Sequence, residues 1–207
     1  MNKKSKIWLS PPHISKNEMK YVKEAFKQNW IAPVGPHLDL FEQKISKICN
    51  GFEVVALNTG TAAIHLSLIL LGIKKDDIVI CSSFTFSASI NPVIYQNAKP
   101  IFIDSEDKTY NMDPKLLEQA IIDLISLQKK PKAIILVHLY GYPSKIDDIL
   151  LISKKYDIPI IEDAAEAVGS KYNGQQLGTF GEFGVFSFNG NKIITSSSGG
   201  ALISKNK

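Results

Sequence analysis

Cysteine is scarce in this sequence: Cys49 and Cys81 are the only two among 207 residues, and no CxxC or Cys/His spacing surrounds them. That argues against a disulfide framework and a thiolate metal site, and it fits a reducing compartment. Long apolar runs are missing too. The longest, around Ile64 to Leu71, is interrupted by His65 and Ser67 and is far too short to span a bilayer. Lys3, Lys4 and Lys6 make a basic start that no apolar segment follows, so no signal peptide is expected and the protein reads as cytoplasmic. Neither GxxxxGK(S/T) nor GxGxxG occurs, so a nucleotide-binding loop lacks its motif. Internal repeats, low-complexity segments and interdomain linkers are absent as well. The net charge is only +4 and the lysines are scattered, which disfavours nucleic acid as a partner.

What is present is an ordinary globular composition, 44% hydrophobic and 21% charged, enough for one good core. Apolar runs alternate with helical patterns. Strands are expected at Val54–Leu57, Ile78–Cys81, Pro100–Ile103, Ala133–His138, Pro159–Glu162, Gly184–Phe188 and Gly200–Ser204. Helices are expected at Ser15–Gln28, Pro36–Cys49, Thr61–Leu71, Ser87–Gln96, Asp113–Leu127 and Ser144–Tyr156. Near-continuous Val/Ile/Leu strands separated by helices imply an α/β fold with a mostly parallel sheet covered on both faces. Asp113-Pro114 reads as an N-cap with proline at the first helical position. Only a short Gly/Ser/Asn-rich stretch joins the final two strands, too little for a helical crossover, so the last strand is expected to run antiparallel. The first fifty residues precede any strand and read as an appendage. They include an apolar, Pro/Gly-bounded loop, Trp30 to Pro36, suited either to covering a ligand or to packing on its own core.

Three places carry candidate chemistry. Thr59-Gly60-Thr61 follows a strand and opens a helix, so free N–H groups there could bind phosphate, or Thr59 could simply cap the helix. Asp163 ends a strand, where ligands of open parallel sheets bind. It could serve a magnesium ion, a ribose, a helix N-cap or a protonated pyridine nitrogen. Glu166 would share its face if a helix began there. Lys192 sits in a turn-rich segment, Asn189-Gly190-Asn191, that can fix its direction, although a loop lysine is usually just solvated. Ser187 and Asn189 add short polar groups, and Phe84 and Phe86 offer rings that could stack on a planar cofactor. A strand-end acid, a loop lysine and a Gly/Thr helix start are together what pyridoxal phosphate (PLP) requires. His138 closes another strand and could be a proton shuttle or a structural hydrogen-bond donor; with no base-and-nucleophile pairing visible, the structural role is favoured. His65 reads as a satisfied core histidine.

Several separate blocks resemble the DegT/DnrJ/EryC1/StrS sugar aminotransferases, PLP enzymes of fold type I. These are Leu9 to His13, Trp30 to Gly35, Asn58 to Ala63, Phe84 to Phe86, His138 to Gly141, Glu162 to Ala167 and Ser187 to Lys192. Within that family the chain is most similar to the nucleotide-sugar 4-aminotransferase of bacillosamine biosynthesis. The resemblance implies a seven-stranded large domain over residues 51–207, preceded by the 1–50 appendage, with the family's small C-terminal domain absent. It implies that Lys192 forms the Schiff base and shuttles the proton, and that Asp163 binds the pyridine nitrogen. Glu166 would lie at the cofactor's phenolic oxygen or beside the substrate. Phe86 would stack on the ring. Amides at Gly60, Thr61 and Ala62, with Ser187 and Asn189, would hold the phosphate, and no metal is implied. Trp30 and Ile31 could help enclose a sugar nucleotide. The implied reaction moves an amino group from L-glutamate to a 4-keto sugar on UDP, the expected acceptor being UDP-4-keto-6-deoxy-N-acetylglucosamine, in a homodimer. A lysine at position 192 sets the chain apart from the dehydratase branch, which has histidine there. The competing expectations are another keto sugar, or a PLP-binding fragment without catalysis of its own.

Overall fold

The computed structural model describes residues 6–8 and 11–205, so the expectations attached to Lys3, Lys4, Leu9 and Ser10 lie outside the described residues. Two helices come first, α1 (Glu18–Lys27) and α2 (Pro36–Ile48). Then follow β1 (Glu53–Leu57), α3 (Gly60–Leu70), β2 (Ile78–Ser82), a short α4 (Asn91–Tyr95) and β3 (Lys99–Ile103). The alternation continues with α5 (Pro114–Ser126), β4 (Ala133–Val137), α6 (Ile146–Tyr156) and β5 (Ile160–Asp163). A small hairpin, β6 (Lys171–Tyr172) with β7 (Gln175–Gln176), precedes β8 (Phe183–Ser187) and β9 (Gly200–Ser204).

Seven strands form one sheet in the order β1-β9-β8-β5-β4-β2-β3. The strands from β8 to β3 pair in parallel, and β9 lies antiparallel between β8 and β1. The expected parallel sheet and its reversed last strand are both present. Strand alternation sends successive residues to opposite faces. Val79, Cys81, Ile135, Val137 and Ile161 pack on one side with Ala63, Ile64 and Leu68 of α3. Ile80, Ile134, Leu136 and Ile160 pack on the other with Leu117 and Ile121 of α5 and Ile149 and Ile152 of α6. A third cluster joins Ile45 of α2 to Phe186, Ala201 and Ile203. By contrast, α1 buries no residue.

Local chemistry explains the helix starts. Asp113 accepts from the Lys115 and Leu116 N–H groups at 2.7 and 3.4 Å, with Pro114 at the first helical position. Three details depart from expectation. Ser87 to Gln96 is not one helix but a 3₁₀ turn, Ser87–Ser89, followed by α4. Pro92 cannot donate to the carbonyl four residues back, so the ladder cannot run through it. After Asp163 the chain turns instead of opening a helix, and its carboxylate accepts from Ala165 N–H at 3.2 Å. His65 is half-buried rather than a core residue, bonded to Gln96 at 2.6 Å and edge-on to Tyr95.

The end of β5 carries the most demanding polar arrangement. Glu162 is fully buried on the α5/α6 side. Its carboxylate accepts from Gly178 N–H at 2.8 Å and from the Phe180 and Gly181 N–H groups at 2.6 Å each. His138 Nε2 lies 2.8 Å from the same carboxylate, and His138 Nδ1 meets Ser144 at 3.3 Å. A buried carboxylate is tolerated only with such a full set of donors. Replacing Glu162 by Ala strands these donors and should lower stability by about 3–5 kcal/mol. A urea midpoint unchanged by Glu162→Ala would show that the network contributes nothing.

Both cysteines are buried in the core. Burial, with the nearby Glu162 charge second, pushes the Cys49 thiol up to about 12, and burial raises that of Cys81 as well. The thiolate is the reactive form. Iodoacetamide at pH 8 is therefore expected to spare both in the folded protein and to label both in guanidinium. Rapid labelling of the native chain would contradict this packing.

Candidate active site

The parallel strands β2, β4, β5 and β8 all end at one rim of the sheet, where α3 also starts. A cavity of about 520 Å³ opens there. It is lined by Thr59, Gly60 and Thr61 after β1, Phe84 to Phe86 after β2, Leu139 and Tyr140 after β4, Asp163, Ala165 and Glu166 around the end of β5, and Ser187, Asn189 and Lys192 at and after the end of β8. Gly199, just ahead of β9, completes the ring by bridging to Thr59. Segments far apart in sequence thus meet because strand ends in a parallel sheet converge.

The floor of the cavity is Asp163, only 6% exposed. Its carboxylate accepts from Ser89 Oγ at 2.5 Å and from Ala165 N–H at 3.2 Å. Burial raises its pKa; the Ser89 and Ala165 hydrogen bonds, then the charges of Lys192 and His138, pull the other way. Lys192 enters from the opposite loop, with its side chain 11% exposed and Nζ 3.1 Å from Glu166 Oε1. That loop is held by Lys192 N–H donating to the Asn189 carbonyl at 3.0 Å. The amine, its carboxylate partner and the buried acid therefore share one small volume.

The start of α3 supplies the other pole. Thr59 Oγ1 accepts from Ala62 N–H at 3.0 Å, so the capping role weighed for this threonine is realised. Ala62, expected among the phosphate donors, gives its amide to this cap and does not line the cavity. Gly60 and Thr61 remain at the helix N-terminus, where the positive end of the helix favours an anion. A side chain at Gly60 would put Cβ 3.1 Å from Ser187 Cβ, so glycine lets the helix start close on β8. Phe86 is 74% exposed at the rim and offers a free aromatic face.

Trp30 and Ile31 are not brought to this cavity. Trp30 packs over Gly35, and Ile31 is exposed. Within the loop, the Trp30 ring leaves no room for a side chain at Gly35. Conversely, Tyr140, which was assigned no role although it lies in the His138 to Gly141 block, lines the cavity from a left-handed turn at φ 51°. Asn111 brackets that turn, accepting from Leu139 N–H at 2.9 Å and donating to the Tyr142 carbonyl at 3.3 Å. Gly141 follows at φ 77°, where a Cβ would sit 2.3 Å from the Glu166 carbonyl. A Tyr-Gly pair directly after an apolar strand was the one available signal.

The donor set suits a flat, anionic, nitrogen-containing ring compound. An acid lies at the floor, an amine faces it, an aromatic face stands at the rim, and hydroxyl and amide donors gather at a helix N-terminus. No cluster of three or more His, Cys, Asp or Glu residues among the described residues could hold a metal ion. Nor is any helix among them long and apolar enough to cross a membrane.

Comparison with known proteins agrees with this chemistry. Residues 12–207 match the DegT/DnrJ/EryC1/StrS aminotransferase family. EpsN of Bacillus subtilis strain 168, assigned as a pyridoxal phosphate-dependent aminotransferase, is 51% identical over 202 residues, 98% of this chain and 52% of that protein. The GDP-perosamine synthase of Escherichia coli O157:H7 is 39% identical over 196 residues, 95% of this chain and 52% of that protein. Among solved structures, the PMP form of Spr1654 from Streptococcus pneumoniae, assigned as a sugar aminotransferase, superposes with a TM-score of 0.89 at 33% identity. That match covers 98% of this chain and 53% of the other. The chain spans about half the length of these relatives. With its fold, its cavity and its sequence in agreement, the chain belongs to the DegT/DnrJ/EryC1/StrS family of PLP-dependent aminotransferases.

Proposed function

We propose that this chain forms the cofactor-holding part of a nucleotide-sugar aminotransferase, with Lys192, Asp163 and Glu166 as its reacting centre. The observation that carries the reading is the shared cavity, in which Lys192 Nζ, the Glu166 carboxylate and the buried Asp163 meet beside the start of α3. When bound, PLP supplies an aldehyde that takes up an amino nitrogen and a ring that draws electrons from the adjacent carbon. Asp163 holds a proton on the ring nitrogen. Gly60, Thr61, Ser187 and Asn189 bind the phosphate, and Phe86 covers a face of the ring. Lys192 would hold the cofactor through Nζ, and as a free amine that atom would move a proton. Glu166, 3.1 Å from Lys192 Nζ, orients that amine between these tasks.

The amino donor in this reading is L-glutamate and the assembly is a homodimer. The acceptor is a 4-keto sugar on a nucleoside diphosphate, and the specific proposal is UDP-4-keto-6-deoxy-N-acetylglucosamine. The GDP-perosamine synthases among the relatives favour a second form of the same proposal, with GDP as the nucleotide.

Borohydride reduction of the PLP-treated chain should leave a pyridoxyl label that maps to Lys192 and vanishes in Lys192→Ala. A label elsewhere, or none, would sink the assignment. With activity measurable, Lys192→Ala should reduce turnover by at least about 10²–10⁴-fold, the range for loss of a positioned acid–base group. Competition among UDP-, GDP- and dTDP-linked 4-keto sugars, read as transfer of ¹⁵N from labelled glutamate, decides the nucleotide. Preference for a GDP sugar would retire the UDP form.

A further inference from the structure

We propose that Ser89, backed by Thr85, is a positioning residue that fixes the Asp163 carboxylate and keeps it ionised toward the cavity. This rests on the cofactor reading above and extends it to residues outside the reacting centre. Ser89 is fully buried, and its Oγ lies 2.5 Å from Asp163 Oδ2. Thr85 Oγ1 lies 2.7 Å from the same Ser89 Oγ. A carboxylate only accepts, so Ser89 must give its single proton to Asp163. Ser89 then has only lone pairs left for Thr85, which makes Thr85 the donor of the pair. The chain of hydrogen bonds therefore has one direction, Thr85 to Ser89 to Asp163. With Oδ2 held by Ser89 and Oδ1 steadied by Ala165 N–H, the carboxylate plane is set from two sides.

The need for such a device follows from burial. A carboxylate removed from water drifts toward its neutral form, and a neutral acid no longer favours a protonated ring nitrogen. Other charges bear on Asp163, but each has a partner of its own. Lys192 is shared with Glu166, and His138 lies on the opposite side of the sheet against Glu162. The Cys81 thiol, on β2, is itself raised by burial and then by the Asp163 charge, so it brings no positive field. Ser89 donates the shortest bond to Asp163 and heads the causes that lower its pKa. The device depends on the broken helix after β2. Ser89 lies not in α4 but in the preceding 3₁₀ turn Ser87–Ser89, closed by Ser89 N–H to the Phe86 carbonyl at 3.0 Å, and from there its hydroxyl reaches Asp163 at the end of β5. One loop thus carries both the aromatic face of Phe86 and the hydroxyls that hold the acid.

Two measurements on the intact chain test this. In the cofactor-free protein, ¹³Cγ NMR of Asp163 should show its titration midpoint rising in Ser89→Ala, rising less in Thr85→Val, and staying near the parent in Ser89→Thr. With ¹⁵N-labelled PLP, Ser89→Ala should move the ring nitrogen signal toward unprotonated pyridine and weaken PLP binding about tenfold, consistent with loss of a hydrogen bond to a charged group. Thr85→Val keeps the shape of threonine, so it carries the test if Ser89→Ala fails to fold. An unshifted Asp163 midpoint in the folded variants overturns the proposal. A protonated ring nitrogen in Ser89→Ala, with affinity within about twofold of the parent, does so too. If PLP fails to bind the parent chain, the cofactor reading falls while the Asp163 titration still decides the role of Ser89.

Discussion

Two neighbouring carboxylates at the end of β5 are buried on opposite faces of one sheet, and much of the irregular backbone is arranged around them. Strand alternation separates Glu162 from Asp163 by the full thickness of the sheet. Glu162 is saturated: three backbone N–H groups and an imidazole surround it. Those donors come from the segment between β7 and β8 and from the end of β4, so one acid fixes the approach of both. Asp163 is left with a serine hydroxyl, one amide and an open cavity. The first acid serves the fold and the second faces solvent chemistry. Adjacent positions in the sequence thereby carry unrelated tasks.

The helix that opens the cavity shows a similar division. Thr59 satisfies the Ala62 amide, which would otherwise point at any anion in the site. Gly60 and Thr61 remain, and the close seat of Gly60 against Ser187 brings the end of β8 to the same helix start. Capping and anion binding are usually treated as alternatives for a helix N-terminus. Here the cap is made by Thr59, and the proposed anion site falls to the residues directly after it.

The sheet was legible because its buried strands are nearly unbroken Val/Ile/Leu runs, and the short Gly/Ser/Asn stretch before β9 gave away its reversal. Lys192, Asp163 and Phe86 stood out because strand ends are where chemistry collects in such folds. Other features were hidden. A serine in an apparently helical segment gives no sign that Pro92 will break the helix and leave Ser89 over β5. The His138–Glu162 contact joins residues 24 apart in sequence, a pairing that no periodicity encodes. Trp30 was ambiguous, since an apolar loop next to a proline looks the same whether it covers a ligand or packs on its own glycine. Local propensity read the elements well, whereas side-chain pairings across the sheet required the fold itself.

The position of β9 constrains how the molecule can be assembled. Among the described residues β1 closes one end of the strand order, paired with β9, which separates it from β8. Leu57 pairs with Gly200, 143 positions later in the chain (200 − 57). At a synthesis rate of about 5–20 residues per second, β1 waits on the order of ten seconds for its neighbour. During that interval its backbone groups are an unpaired edge open to other nascent chains. The helix start that follows β1 waits as well, because Thr59 bridges to Gly199. The corner where α3 begins is therefore among the last parts of the protein to exist, and the order of translation makes it so.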